Sequence, residues 1–311
     1  MSGKGVSVRP RRSELSTRTE IRKRSGRATS SVRLFFFVFL TILAAAAAAP
    51  SQDLDTLAKQ LHSGSTEEKR TVLMQLRSAR SEEASRVAVA GLSDADAIVR
   101  ATAASSVTFL PKGEASAALS PLLNDKDEFV RKEAAYSLGE VGDPASVPQL
   151  IRRLNSDKSP EVRVAAAVAI GKLGSLDAVL PLVAILGQRP NEANEVLRRA
   201  VARSIGQIPQ IMRSGRLQVV TPQNFLPDKY KDIGPKPSPE MLSHFSTAVS
   251  VLTRVLDSTQ ETDDTRREAA FALGAIGDNT ARGVLAKYVS STDPYLAEIC
   301  KEALLKLKAG E

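Results

Sequence analysis

The sequence predicts an all-α protein, an α-solenoid of about seven helical hairpins with a period of about 31 residues. Three observations lead to this fold class. The segment EFVRKEAAYSLGEVGD at residues 128–143 recurs as PEVRVAAAVAIGKLG from residue 160 and as DDTRREAAFALGAIGD from residue 263. The apolar residues of each copy have the spacing of one helix face. Aromatic residues make up only 4% of the chain, which suits close helix packing through Ala, Leu, Val and Ile.

The first 48 residues differ in composition from the rest and predict a targeting segment. They hold ten Lys and Arg against two acids, Glu14 and Glu20, and an uncharged apolar run extends from Leu34 to Ala49. We expect residues 1–48 to be a basic region plus a cleaved signal peptide, which predicts export to the periplasm or cell envelope. The alternative is a retained anchor, and only this segment would then contact the membrane.

The remaining residues contain as many acidic as basic side chains, so the net charge of +8 belongs to the N-terminus. Proteins bind duplex nucleic acid largely through positive charge. A neutral body therefore argues against a nucleic-acid partner.

Each copy of the repeat begins at an anchor position that is followed at once by arginine. Successive anchors are separated by 31, 32, 35 and 68 residues. Degenerate pairs at residues 54–79 and 279–308 complete seven hairpins as caps, because terminal repeats are usually atypical. This places repeats one to five in residues 50–213, and repeats six and seven with the C-terminal cap in residues 239–311. The anchors are Val99, Val130, Val162, Leu197 and Thr265.

The other positions of the repeat predict where each helix is buried and where it ends. Positions 0, 4, 8 and 11 from the anchor form one stripe of small or apolar residues, which we expect to be buried. Asp143 and Pro144 are suited to cap and start a following helix. The residues expected to end the helices stand at position 12: Pro111, Gly142, Gly174, Pro209 and Gly277.

A proline-rich insertion at residues 214–238 occupies the long gap between the fourth and fifth anchors. It is too long for a hairpin turn and too rich in proline for a helix. Phe225 and Tyr230 are interleaved with lysines, a combination that would suit a protein partner. A linker without a binding role is the alternative.

The pattern VRxxAAxxLGxxGD resembles the short HEAT-like repeats first associated with phycobilisome lyases, and it covers most of the chain after residue 80. The resemblance implies stacked hairpins whose second helices line a concave surface. The family includes bilin lyases, deoxyhypusine hydroxylase, DNA glycosylases and many scaffolds, so the resemblance leaves function open. It also implies an Asp and Arg ladder between neighbouring hairpins, here Asp94, Arg100, Asp125, Arg131, Asp157 and Arg163.

Positions 2 and 6 from the anchor are expected to point away from the buried stripe, towards the concave surface. They are Ala101, Lys132, Val164, Arg199 and Arg267 in one row, and Ser105, Tyr136, Val168, Arg203 and Phe271 in the other. Arginine and aromatic side chains are frequent anchors of protein interfaces. The candidate partner-binding residues on the helices are therefore Lys132, Tyr136, Arg199, Arg203, Arg267 and Phe271.

Residues suited to catalysis are scarce. Neither His62 nor His244 is followed by an acid or has a second histidine nearby, so we predict no metal site and no cofactor. Cys300 is expected to be a small buried apolar side chain. The sequence thus predicts a non-enzymatic scaffold that binds a protein partner through its concave face and its insertion. A lyase-like enzyme, or a subunit of one, built on the same repeats is the alternative.

Overall fold

The computed structural model describes residues 54–215, 222 and 237–308, which all lie in one compact unit spanning Asp53–Glu311. The predicted targeting segment, and Phe225 and Tyr230 of the insertion, lie outside the described residues. Within the described ranges there is no strand, and no helix is long and apolar enough to cross a membrane.

The described residues form fourteen α-helices that pair into seven consecutive hairpins. The first helix of each hairpin has an odd number and the second an even number. They are α1 Leu54–Ser63, α2 Thr66–Ala79, α3 Glu82–Ala88, α4 Ala97–Ser106, α5 Lys112–Leu119, α6 Glu128–Val141, α7 Val147–Ser156, α8 Pro160–Leu173, α9 Val179–Leu186, α10 Glu195–Ser214, α11 Pro239–Asp257, α12 Asp263–Ile276, α13 Arg282–Lys287 and α14 Pro294–Lys308.

The helix boundaries follow from local sequence chemistry. Asp127 caps α6 by accepting a hydrogen bond from the Phe129 backbone N–H, and Gly142 ends the helix with φ 72°. A left-handed conformation at this position favours glycine, since it has no Cβ. Asp143 and Pro144 then start a 3₁₀ turn that leads directly into α7, as the sequence predicts.

Successive second helices pack on one another from α2 to α14 and form one continuous layer. The approach is close because small residues meet between the helices. A Cβ added at Gly139 of α6 would lie 2.8 Å from the Cα of Ala169 in α8. The predicted buried stripe is confirmed, since the residues at positions 0, 4, 8 and 11 are buried in all five aligned copies.

Two predicted helix ends are wrong. Pro209 does not end its helix, because α10 continues through it to Ser214 and ends at Gly215. The proline removes one backbone N–H, but Ile208 and Gln210 on either side of it are buried, and this packing holds the chain in the helix. Pro111 follows a helix that has already ended at Ser106, and it stands instead at the N-terminus of α5.

Candidate functional site

The exposed side of the second-helix layer is marked by two adjoining cavities along α8, α10, α12 and α14. One cavity of about 420 Å³ is lined by Val164, Val168, Val196, Arg199, Ala200, Arg203, Asp264 and Glu268. The other, of about 190 Å³, is lined by Arg203, Pro222, Asp264, Arg267, Glu268, Phe271, Tyr295 and Ile299. Apart from Pro222, these residues occupy positions −1, 2, 3 and 6 of the repeat. We call the residues at these four positions of the seven second helices the groove face.

The same numbering of positions applies to the first and last hairpins, although their anchor residues depart from the repeat pattern. The ladder residues Arg100 and Arg131 stand at position 1 of their helices. Lys69 of α2 donates a hydrogen bond to Asp94 in the same way, so Lys69 is position 1 of α2 and Glu68 is position 0. Leu296, which is fully buried, is position 0 of α14. Met74 and Tyr295 therefore lie on the groove face at positions 6 and −1.

The predicted ladder residues connect each hairpin with the next. Arg100 donates two hydrogen bonds of 2.8 Å to the carboxylate of Asp125, which belongs to the following hairpin. Its third nitrogen donates to the backbone carbonyls of Asp94 and Ala95 in its own turn. Arg131 repeats the arrangement with Asp157, at 2.8 and 2.9 Å. An arginine thus bonds the turn beside its own aspartate and pairs with the aspartate of the next hairpin.

Arg163 does not pair with a carboxylate of the next hairpin in this way. Its Nε donates to the carbonyl of Leu154. The chain supplies no aspartate at the corresponding turn, where Gly187 and Gln188 follow α9. Arg198 resumes the ladder across the insertion by pairing with Glu261, and both side chains are buried. The last link comes from Arg267, whose Nε donates to Asp293 at 2.7 Å.

The ladder also shifts the acidity of its carboxyl groups. The hydrogen bond from Arg100 holds the pKa of Asp125 below its ordinary value, although burial opposes this effect. At Asp157 burial by itself raises the pKa, but the bonds from Arg131 and the Ser159 backbone outweigh it and the net pKa is lowered. These aspartates therefore stay ionised at neutral pH.

The structure places Lys132 and Tyr136 on the groove face of α6. The Lys132 ammonium lies 4.6 Å from the centroid of the Phe129 ring, close enough for a cation–π contact. Tyr136 is half-buried against the core, and burial raises the pKa of its hydroxyl. Both remain accessible from the groove.

The three candidate arginines lie on the groove face, and each is held by acids. The partner of Arg199 and of Arg203 is on the next second helix, whereas Arg267 bonds an acid of its own helix and one in the turn before α14. Arg199 donates to Asp264 at 2.9 Å, and Arg203 donates to Glu268 through Nε and Nη2. Arg267 bonds Asp264 as well as Asp293. These side chains first serve to connect α10, α12 and α14, because their charges are already matched.

One of the two predicted exposed rows needs a correction. Ala101 was expected to point outward, but it is only 1% exposed, because the neighbouring second helices approach closely enough to cover a methyl group. Phe271 is partly buried against the core and lines the smaller cavity. Ser105, Val164 and Val168 are partly exposed, as predicted.

Sequence reasoning missed position −1, which immediately precedes each anchor. Ile98, Phe129, Val196 and Tyr295 stand at this position, and all four are exposed. Reading the same alignment one residue earlier would have shown Ile98, Phe129 and Val196, with Glu161 and Asp264 at the same position of the other two copies. Together with Met74, five of the ten large exposed apolar residues in the described chain lie on the groove face.

The residues considered for catalysis lie apart from one another. His62 and His244 are exposed in α1 and α11, at separate hairpins. Cys300 is buried, and burial raises the pKa of its thiol to about 12. Across the described ranges, no group of three or more His, Cys, Asp or Glu side chains is placed to hold a metal ion.

Fold and groove together define an α-solenoid repeat protein. The sequence matches HEAT repeats over residues 86–167 and 147–220, and the PBS lyase HEAT-like repeat over residues 265–291. The chain belongs to the HEAT-repeat family. No curated protein matches the sequence.

Solved structures resemble the chain in fold. An engineered protein is 22% identical, with a TM-score of 0.52, over 83% of this chain and 69% of the other. A designed armadillo repeat protein in complex with the peptide (KR)4 is 18% identical, with a TM-score of 0.49, over 82% of this chain and 100% of the other. The CpcE–CpcF complex of phycocyanin lyase from Nostoc sp. PCC7120 is 22% identical, with a TM-score of 0.45, over 83% and 89%.

Proposed function

We propose that this chain is a non-enzymatic scaffold that binds a protein partner along its groove face. The observation that carries the proposal is the concentration of exposed apolar side chains. In the part of the chain that the structure describes, half of the ten large ones occur on a face formed by four positions in each of seven helices. Exposed apolar side chains gathered on one face are typical of interaction sites, whereas scattered single residues are ordinary.

Mixed chemistry on the face supports a polypeptide as the partner. The face carries apolar side chains such as Phe129, ion-paired arginines such as Arg199 and the half-buried Tyr136. Protein interfaces are rich in aromatic residues and arginine for this reason. The affinity would come from several moderate contacts along a rigid surface.

The experiment compares partner capture by the full chain and by two matched variants. Ile98→Ser and Phe129→Ser in one chain remove apolar surface from the groove face. Leu180→Ser removes a large apolar side chain that is more exposed than either, 64% accessible, from first helix α9. Proteins captured from an extract of the source cells are quantified by mass spectrometry, and folding is checked by circular dichroism.

We expect the groove variant to lose a specific protein that the wild type and Leu180→Ser both retain. A partner held equally by all three chains would contradict a site at this part of the groove. A third variant tests the insertion, by replacing residues 216–236 with a flexible linker of similar reach. If that variant alone lost the partner, the insertion and not the groove face would carry binding.

Export is a second part of the proposal and depends on the N-terminal sequence. Ten basic residues followed by the apolar run from Leu34 to Ala49 support a signal peptide. Cell fractionation followed by N-terminal sequencing tests it. We expect a mature chain that begins near Ala49 in the periplasm or envelope fraction, and an intact chain in the cytoplasm would contradict export.

A further inference from the structure

The groove face has two unlike parts. On α2, α4, α6 and α8 it presents the large apolar side chains of Met74, Ile98, Phe129, Tyr136 and Val168. On α10, α12 and α14 it is crossed by ion pairs that connect neighbouring helices. The two parts therefore offer different chemistry to a partner.

Helix α4 is the centre of the apolar part, and its groove positions contain no charge. They are Ile98, Ala101, Thr102 and Ser105. Ile98 is 44% exposed, and the neighbouring Phe129 on α6 is 41% exposed. Covering these side chains would contribute about 25 cal/mol for each Å² of apolar surface removed from water.

Each cation on the flanking helices already has an acidic partner on the same helix. Arg70 of α2 pairs with Glu67 at 2.8 Å, and Lys132 of α6 lies 3.8 Å from Glu133 while covering the Phe129 ring. A charged partner would have to separate one of these pairs or place an unmatched charge in the interface. Either event costs free energy, because a buried charge without a partner loses its hydration. An uncharged partner leaves both pairs intact.

We propose that the groove face at α2, α4 and α6 binds an uncharged, apolar polypeptide segment. This inference rests on the proposed function and specifies the chemistry of the partner. Neighbouring packed helices lie about 8–10 Å apart, so three of them span roughly 20 Å. An extended chain covers that distance with about six or seven residues. A segment of that length carries two or three large apolar side chains, enough to contact Ile98 and Phe129 at position −1 and Met74 at position 6 of the neighbouring helix.

Fluorescence anisotropy with designed peptides of about 12 residues tests the proposal on the full chain. The probe is a labelled Gly and Ser peptide carrying three Leu or Phe at every third position. Two matched peptides replace two serines by Lys or by Glu. We expect the uncharged peptide to bind at least about tenfold more tightly than either charged one, a difference of about 1.4 kcal/mol.

Salt and two variants separate the apolar contribution from the electrostatic one. The dissociation constant of the uncharged peptide should change less than about twofold between about 50 and 500 mM NaCl, since salt screens charge interactions. Ile98→Ser should weaken binding by about fivefold or more, whereas Leu180→Ser should leave it unchanged.

Tighter, salt-sensitive binding of the Lys or Glu peptide would overturn the inference, and polypeptide binding by the groove would still stand. If none of the three peptides bound but capture from extract still depended on Ile98 and Phe129, the inference would also be overturned. The partner would then bind through a folded surface and not through an extended segment. If capture did not depend on these residues either, the proposed function itself would fail.

Discussion

Arg100 and Arg131 each hold two hairpins at once, because one part of the guanidinium bonds its own turn and the other part bonds the aspartate of the next hairpin. The Asp157 side chain is only 1% exposed and pairs with Arg131 at 2.8 Å and, more distantly, with Arg153 at 3.6 Å. Such a pair contributes little to net stability compared with apolar side chains, yet removal of one partner is costly.

Arg131→Ala should therefore lower the free energy of unfolding by about 2–4 kcal/mol, since it leaves buried Asp157 with only the more distant Arg153 and removes the donor to the Asp125 and Lys126 carbonyls. Urea denaturation measures the change. The control is Lys301→Ala, which breaks the exposed pair with Glu298 and should cost less than about 1 kcal/mol. Equal losses in the two variants would contradict a stabilising ladder.

The lowered pKa of Asp125 predicts how stability depends on pH. A carboxyl group whose pKa is lower in the folded state contributes stability at neutral pH and loses it as the pH falls below about 4. The urea midpoint should thus decrease between about pH 6 and pH 3. Asp125→Asn should be less stable at pH 6 and should show a smaller decrease. A decrease of the same size in the variant would show that Asp125 does not contribute.

At the residue scale, the sequence predicted the buried stripe because the helix period assigns each apolar residue to a face. It identified five ladder residues correctly, but Arg163 forms no ladder pair. It could not determine that Arg100 reaches Asp125, since that pairing depends on the stacking of two hairpins. It also placed Ala101 on the exposed face, because helical geometry alone does not tell how closely neighbouring helices approach.

At the scale of elements, close packing between second helices depends on small residues at matched positions. Gly139→Ala should destabilise the fold by more than about 1 kcal/mol, because the new Cβ would lie 2.8–2.9 Å from Ala169. Gly113 is also within a helix, but a Cβ there would meet nothing within 4 Å.

Gly113→Ala should accordingly stabilise the protein by about 0.5–1 kcal/mol through higher helix propensity. Thermal unfolding of both variants gives the comparison. A stabilising Gly139→Ala would mean that α6 and α8 are packed less closely than the structure shows.

Helix ends illustrate what the sequence could and could not predict for elements. Glycine at position 12 predicted three helix ends correctly. A residue in the left-handed conformation ends the helix, and the glycine that favours this conformation can be recognised in the sequence. Pro209 gave a similar local signal, but tertiary packing of α10 overrides it. Local chemistry therefore predicted the ends where it agrees with packing and not where the two conflict.

At the scale of the whole molecule, the fifth and sixth hairpins are connected by a long segment of chain, so their packing depends on side-chain contacts between them. We call this contact the joint. Arg198 and Glu261 form a buried ion pair there, and Arg198 is only 2% exposed. Repeat proteins are stabilised by contacts between neighbours, so one weakened joint can separate the unfolding of the two sides.

Glu261→Ala should cost about 3–5 kcal/mol by leaving Arg198 buried without its carboxylate. Hydrogen exchange should then become faster in α11–α14 than in α4–α8, since the last two hairpins would open separately. A uniform increase along all the described helices would contradict a local joint and indicate a single cooperative unit.

The seven-hairpin architecture could be predicted from sequence because the same pattern of buried positions recurs in several copies of the repeat. The groove face could be predicted only in part, since the alignment gave positions 2 and 6 but not the apolar row at position −1. Pairing of Arg199 with Asp264 and of Arg203 with Glu268 depends on contacts across 65 residues of sequence, which no local pattern reveals.

The most direct test of groove binding is site-specific photo-cross-linking in the source cells. A photoreactive phenylalanine analogue replaces Phe129 on the groove face in one chain and Leu180 on α9 in the other. We predict that the same protein becomes cross-linked from position 129 and not from position 180. Cross-linking of that protein with equal yield from both positions, or from position 180 alone, would contradict a binding site on the groove face.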